Sequence, residues 1–167
     1  GGAGYGKFRS VEAYTSNGWT PLPDLPYAAE DAAACVLNGR LYVMGGWGCN
    51  KLQVLEMSEE NGFSWTVKAD LPAARWNAAS AVVDGKLWLI GGCTADERGR
   101  SNSVIIYSIA SDSWAAGPAL PQKLRGCAAV HEGKVYLFYD RGLLVRDSTG
   151  WVDVEITAGG VGVRCAP

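Results

Sequence analysis

A six-residue sequence that occurs twice constrains the fold of this chain more than any other feature. Residues 41–46 read LYVMGG, and residues 87–92 read LWLIGG about 46 positions later. Self-similarity at a fixed period indicates a repeat architecture, in which each repeat folds as one supersecondary unit. The residues that flank the two copies should therefore also correspond.

The same order of features surrounds each copy. Runs of small residues at 32–36, 78–82 and 126–130 each lead into a two-residue turn, at Asn38-Gly39, Asp84-Gly85 and Glu132-Gly133. Turns of this composition predict β-hairpins, because a type I′ turn needs positive φ at both central positions. An apolar strand, a variable loop and another short strand follow. A tryptophan then opens a last strand, at positions 19, 65, 114 and 151.

These features predict four strands in each repeat of about 46 residues, and no segment has the 3.6-residue periodicity of a helix. Repeated four-stranded antiparallel sheets are the blades of a β-propeller. Small residues suit the crowded innermost strand, and tryptophans fill the wider space between outer strands. We therefore expect an all-β fold made of four-stranded antiparallel blades.

The glycine pair, the aromatic residue before it, the later tryptophan and the period together resemble the kelch repeat. A WD-type propeller has a similar period, but the sequence contains no Gly-His or Trp-Asp dipeptide. The resemblance implies a single partial kelch-type propeller domain over residues 1–167. We expect a half blade at 1–26, blades at 27–72, 73–121 and 122–157, and the start of another at 158–167, with 159–162 as a loop between blades. The remaining blades would come from the same chain, a second copy or another subunit.

Composition excludes several classes of function. The net charge is −2 without a basic stripe, which argues against nucleic-acid binding. No apolar run approaches the ~20 residues of a membrane helix, so no membrane insertion is expected. Five cysteines without a CxxC pair and a single histidine predict neither a metal nor a cofactor. The odd cysteine count and the absence of an N-x-[ST] sequon favour a cytoplasmic location, with Cys49 and Cys93 as free thiols.

An enzymatic role is the alternative that we weigh against a binding role. Some kelch-like propellers are sugar isomerases or oxidases. The resemblance therefore implies an alternative, in which this chain forms part of an active site that further blades complete. Its credible contributors here are Asp31, Arg75, Arg125 and His131. His131 aligns with Leu37 and Val83 of the other repeats, which favours a structural role. We therefore expect no enzyme activity.

The loops between blades and those after the second strand are expected to emerge on one rim. Loops held on rigid sheets commonly carry binding residues, and Arg, Trp and Tyr are enriched in binding hot spots. As the resemblance also implies, we expect a scaffold, adaptor or assembly subunit that binds a protein partner through this rim. The candidate residues are Tyr27, Glu30, Asp31, Trp47, Asn50, Lys51, Arg75, Trp76, Asn77, Arg98, Arg100, Lys123, Arg125 and Arg141.

Overall fold

The fold is built from antiparallel β-sheets, as the sequence predicts. A computed structural model describes residues 8–58, 62–95, 99–140, 142–157 and 160–164. No helix occurs in these residues, so none there is long and apolar enough to cross a membrane. The chain divides into two compact units, Gly1–Trp76 and Asn77–Pro167.

The first unit contains a two-stranded and a four-stranded sheet. The two-stranded sheet is the hairpin of β1 and β2, and the four-stranded sheet has the order β3-β4-β5-β6, so that each strand pairs with its sequence neighbours. The strands are β1 Val11–Thr15, β2 Gly18–Leu22, β3 Ala33–Leu37, β4 Arg40–Met44, β5 Leu52–Ser58, β6 Gly62–Lys68 and the short β7 Arg75–Trp76.

The second unit contains a four-stranded sheet, a five-stranded sheet and a short hairpin. The four-stranded sheet has the order β8-β9-β12-β13, the five-stranded sheet runs from β14 to β18 in order, and β10 pairs with β11. The strands are β8 Ala79–Val83, β9 Lys86–Ile90, β10 Cys93–Thr94, β11 Gly99–Arg100, β12 Val104–Ser108, β13 Ser113–Ala116, β14 Gly126–His131, β15 Lys134–Tyr139, β16 Gly142–Arg146, β17 Trp151–Thr157 and β18 Gly160–Arg164.

The predicted hairpin turns are confirmed. Asn38 and Gly39 have φ values of 51° and 72°, and Asp84 and Gly85 have 48° and 68°. Glu132 and Gly133 repeat the geometry at 48° and 72°. Positive φ at both central positions gives a backbone twist that matches the right-handed twist of the flanking strands. Each turn therefore fixes the register of an innermost hairpin, β3–β4, β8–β9 or β14–β15.

The core of the second unit lies between its two large sheets. Ala79 and Ala81 of β8 belong to one buried cluster with Val135 and Leu137 of β15. Leu120 and Leu124, in the link between the sheets, complete this cluster at 2% and 1% exposure. The small residues of β8 thus let a second sheet pack closely against the first, as the sequence pattern predicts.

The C-terminal strand differs from our expectation. Residues 160–162 were expected in a loop, but they lie in β18, which pairs with β17 from Thr157↔Gly160 to Asp153↔Arg164. Val161 and Val163 alternate with Gly160 and Gly162, and this period of two suits a strand despite the low strand propensity of glycine. Cys165 and Ala166, which we expected to begin a further blade, lie outside the described residues. The blade boundaries themselves stay a prediction.

Candidate functional site

The first glycine pair anchors a loop, residues 45–51, between two neighbouring links of the first unit. The Gly45 amide donates to the Lys51 carbonyl at 2.9 Å, and the Gly46 amide donates to the Arg75 carbonyl at 2.8 Å. The next amide, of Trp47, donates to the Glu30 carbonyl at 2.8 Å. Three successive backbone donors therefore fix this loop against the segments around residues 30 and 75.

Glycine is required at both positions by conformation and by space. Gly45 and Gly46 have φ values of 70° and 125°, a backbone conformation that L-residues with a side chain rarely adopt. A Cβ at Gly45 would overlap the Arg75 carbonyl oxygen, and one at Gly46 would lie 2.9 Å from the Glu30 carbonyl oxygen. The repeated GG therefore permits the close approach of two backbone segments.

An aromatic pair joins this anchored loop to β7. The rings of Trp47 and Trp76 are 4.5 Å apart between centroids and meet edge to face at 60°. Trp47 is 54% exposed, whereas Trp76 is partly buried. Edge-to-face packing places the positive edge of one ring against the negative face of the other, so the pair holds a defined orientation.

A cation and a tyrosine lie at the other end of the loop. The Lys51 ammonium donates to the Asp70 carboxylate at 2.6 Å and lies 5.3 Å from the centroid of the Tyr27 ring. The hydrogen bond to Asp70 raises the pKa of Lys51 above its ordinary value. Tyr27, Lys51, Cys49 and Asn50 line a shallow cavity of about 190 Å³. We call Tyr27, Glu30, Trp47, Lys51 and Trp76 the loop surface of the first unit.

Two of the expected rim residues take part in anchoring the loop. Arg75, which was expected on the rim, is only 6% exposed, and its carbonyl oxygen accepts a hydrogen bond from the Gly46 amide. The Asn50 carbonyl accepts the Leu71 amide at 2.7 Å, and its side-chain amide lies 3.5 Å from the Leu71 carbonyl. Asn50 therefore joins the loop to the Leu-Pro link.

The second unit repeats the same anchoring. The Gly92 amide donates to the Leu124 carbonyl at 2.9 Å, as that of Gly46 does to Arg75. The Leu120 amide donates to the Asn102 carbonyl at 2.8 Å, which corresponds to the Leu71–Asn50 contact. The role of Asn102 was missed, although an asparagine two positions before the third strand is a signal common to Asn50 and Asn102.

The remaining expected rim residues are placed as follows. Asp31 is exposed with a φ of 53°, and Asn77 is partly buried with a φ of 52°. Arg100 forms an ion pair with Asp140 at 2.9 Å, and both side chains are well exposed. Lys123 and Arg125 are exposed. Arg98 and Arg141 lie outside the described residues.

The residues weighed for an active site do not converge within the second unit. Arg125 precedes β14 and His131 ends it, so the strand separates their backbones by about 20 Å. His131 is exposed, with Nε2 3.7 Å from Glu132. In the described part of the chain, no three His, Cys, Asp or Glu residues are grouped as metal ligands would be.

Two side-chain hydrogen bonds between strands or links were not anticipated. Gln53 on β5 is fully buried, and its Oε1 accepts the Tyr27 amide at 2.7 Å, which anchors the start of the link at 27–31. Tyr139 donates to the Asp153 carboxylate at 3.3 Å across the last sheet. No local pattern marks these positions, since both contacts join residues that are distant in sequence.

Comparison with known proteins agrees with this geometry. Residues 74–121 match the family model described as the Kelch motif. The solved structure of YjhT superposes with a TM-score of 0.71 at 20% sequence identity, over 82% of this chain and 54% of YjhT. This chain thus spans about half the length of that protein. No curated protein matches in sequence. The glycine pairs, the four-stranded antiparallel sheets and these matches show that the chain has the kelch motif and the fold of a kelch-type β-propeller.

Proposed function

We propose that the chain is a protein-interaction module and that the loop surface of the first unit binds a protein partner. The observation that carries the proposal is the Trp47–Trp76 pair, which leaves a large apolar ring 54% exposed on a loop held by three backbone hydrogen bonds. Tryptophan is strongly enriched among residues that dominate binding energy, and aromatic rings combine apolar area with few rotatable bonds.

Charged residues around the Trp47–Trp76 pair give this surface a polar border and an aromatic centre. Glu30 is partly buried and its backbone carbonyl is bonded to Trp47, and the ion pair of Lys51 and Asp70 lies at the far end of the loop. Binding surfaces of this kind have a desolvated aromatic centre and a solvent-accessible polar rim. The partner is expected to bury Trp47 and to contact the charged border.

The proposal is tested by comparing partner recovery with two variants of the first unit. Trp47→Ala removes the exposed ring, whereas Phe63→Ala removes an aromatic ring that is 42% exposed at the far end of β6. Affinity purification from the native cells, followed by mass spectrometry, should recover the same partner with the wild type and Phe63→Ala. The partner should be lost with Trp47→Ala. Equal recovery with all three proteins would refute the proposal.

A further inference from the structure

The outer strand β6 has a long edge that no other strand covers in the described part of the chain. It ends the sheet order β3-β4-β5-β6, so its outer side pairs with no further strand there. It runs over the seven residues Gly62–Lys68 without a proline, and its single charge is Lys68 at its end. Such an edge presents a row of unpaired backbone N–H and C=O groups that another strand can join.

The outer strands of the other sheets are each protected in a different way. β2 contains Pro21, which has no N–H to donate to a ladder. β13 has only four residues, and very short edge strands are poor templates for pairing. β17 is already paired with β18, from Thr157↔Gly160 to Asp153↔Arg164. Among the outer strands that the structure describes, β6 is therefore the one whose edge is both long and open.

The side chains along β6 form one apolar and one polar row. Successive side chains of a strand point to opposite faces of the sheet. The apolar row contains Phe63 and Val67, each 42% exposed, on either side of Trp65, and the 73% exposed Met57 of β5 lies opposite Phe63. The polar row consists of Ser64, Thr66 and Lys68. A strand that joins this edge should therefore also have one apolar and one polar row.

We propose that β6 pairs antiparallel with β6 of a second copy of this chain. A two-fold axis at Trp65 places Phe63 opposite Val67 of the second copy, and the same contact occurs again on the other side of the axis, as an isologous interface requires. Pairs of an aromatic and a β-branched side chain stabilise antiparallel strands. Lys68 lies opposite Gly62 of the second copy, so no like charges face each other.

The register of this pairing follows from the same two rows. A shift by one residue would place the apolar row of one copy against the polar row of the other. A shift by two residues keeps the rows matched but leaves residues at the strand ends unpaired. The pairing centred on Trp65 engages all seven residues of β6. The strand is thus complementary to itself, which favours a second copy as its occupant. None of its residues belongs to the loop surface, so the inference is independent of the partner proposed there.

The test measures self-association of the whole chain by analytical ultracentrifugation, from micromolar to millimolar concentration, where the wild type should form a dimer. Phe63→Lys combined with Val67→Lys places like charges opposite each other twice and should give a monomer. Phe63→Lys combined with Val67→Glu removes the same apolar side chains but places unlike charges opposite each other twice. The second double variant should therefore dimerise at least about tenfold more tightly than the first.

Hydrogen exchange of the wild type provides a measurement that needs no variant. The amides of residues 62–68 that point away from β5 should exchange more slowly as the protein concentration rises, because the second copy binds them. Exchange at these amides that does not change with concentration would contradict the proposal.

Val36→Lys is the matched control, because Val36 is 62% exposed on β3, at the opposite edge of the same sheet. This variant should dimerise like the wild type. A wild type that stays monomeric at millimolar concentration, or equal dissociation constants for the two double variants, would overturn the proposal. Loss of the dimer in Val36→Lys, with a dimer retained in the double-lysine variant, would assign the association to the β3 edge and would also overturn it.

Discussion

Trp65 donates a 2.7 Å hydrogen bond from its indole Nε1 to the carbonyl oxygen of Pro23. Trp151 makes the same contact with Pro118 at 3.0 Å. Pro23 lies four residues after Trp19, and Pro118 lies four residues after Trp114. Each acceptor thus follows the tryptophan of the preceding repeat. The periodic tryptophans therefore do more than fill space, because each of these two bonds joins the fourth strand of one sheet, β6 or β17, to the exit of the sheet before it.

Replacing Trp65 with phenylalanine should lower stability by about 1–2 kcal/mol. The substitution removes the hydrogen bond to Pro23 and replaces the two-ring indole with a smaller phenyl ring. The free energy of unfolding is measured by urea denaturation. Trp19→Phe is the control, because Trp19 is 69% exposed and should lose less than about 0.5 kcal/mol. Equal losses in the two variants would contradict the role given to the Trp65–Pro23 contact.

Replacing Gly45 with alanine should destabilise the chain by about 2 kcal/mol or more. The new Cβ would overlap the Arg75 carbonyl oxygen, and the φ of 70° adds backbone strain. Gly18→Ala separates the two effects, since Gly18 has a φ of 93° but open space around it. Gly18→Ala should lower the free energy of unfolding by about 1 kcal/mol. Thermal unfolding of both variants measures the difference, and a Gly18→Ala loss as large as that of Gly45→Ala would argue against the close contact.

Replacing Leu137 with alanine should cost about 2–5 kcal/mol, because the side chain is fully buried between two sheets and its removal leaves a cavity. Val130→Ala on β14 is the comparison, since Val130 is 42% exposed and should change stability by less than about 1 kcal/mol. Urea denaturation measures both variants. A small loss in Leu137→Ala would mean that the sheets of the second unit do not depend on this core.

Asp147 should titrate at a lower pH than an ordinary aspartate. Its pKa is lowered from 3.8, first by the hydroxyl of Thr149 at 2.6 Å and then by the Thr149 amide at 2.7 Å. A lowered folded pKa contributes stability that is present above pH 3.8 and is lost as the pH falls through the folded value.

Thr149→Ala tests this assignment, because it removes the hydroxyl donor and should raise the pKa of Asp147 towards 3.8. Titration of the Asp147 carboxyl carbon by NMR measures the shift. Thr15→Ala is the control, since the Thr15 hydroxyl bonds the Gly18 carbonyl in another hairpin. An unchanged pKa in Thr149→Ala would show that the hydroxyl bond is not formed in solution.

Much of the fold could be predicted because its signals are local. The Asn38-Gly39 turn sets the conformation of two residues, and the apolar strand after it follows from a short pattern. Repetition of these signals at a constant spacing then identified the four-stranded sheets and the kelch motif. Trp65 was correctly placed on a last strand for the same reason.

The site was less predictable because it depends on contacts between distant residues. Arg75 was expected at the surface, but it is 6% exposed, and its carbonyl accepts the Gly46 amide. The pairing of Trp47 with Trp76 also joins the loop 45–51 to β7, which is distant in sequence. Composition gave the residue types of this surface, whereas only the backbone geometry determines which of them meet and which are covered.

The donors from Gly45, Gly46 and Trp47 have a consequence for the thermodynamics of any association at this loop. The backbone is already confined before a ligand arrives, so little conformational entropy remains to be lost when the complex forms. A few aromatic contacts can then give measurable affinity, and the enthalpy of those contacts should dominate a calorimetric titration.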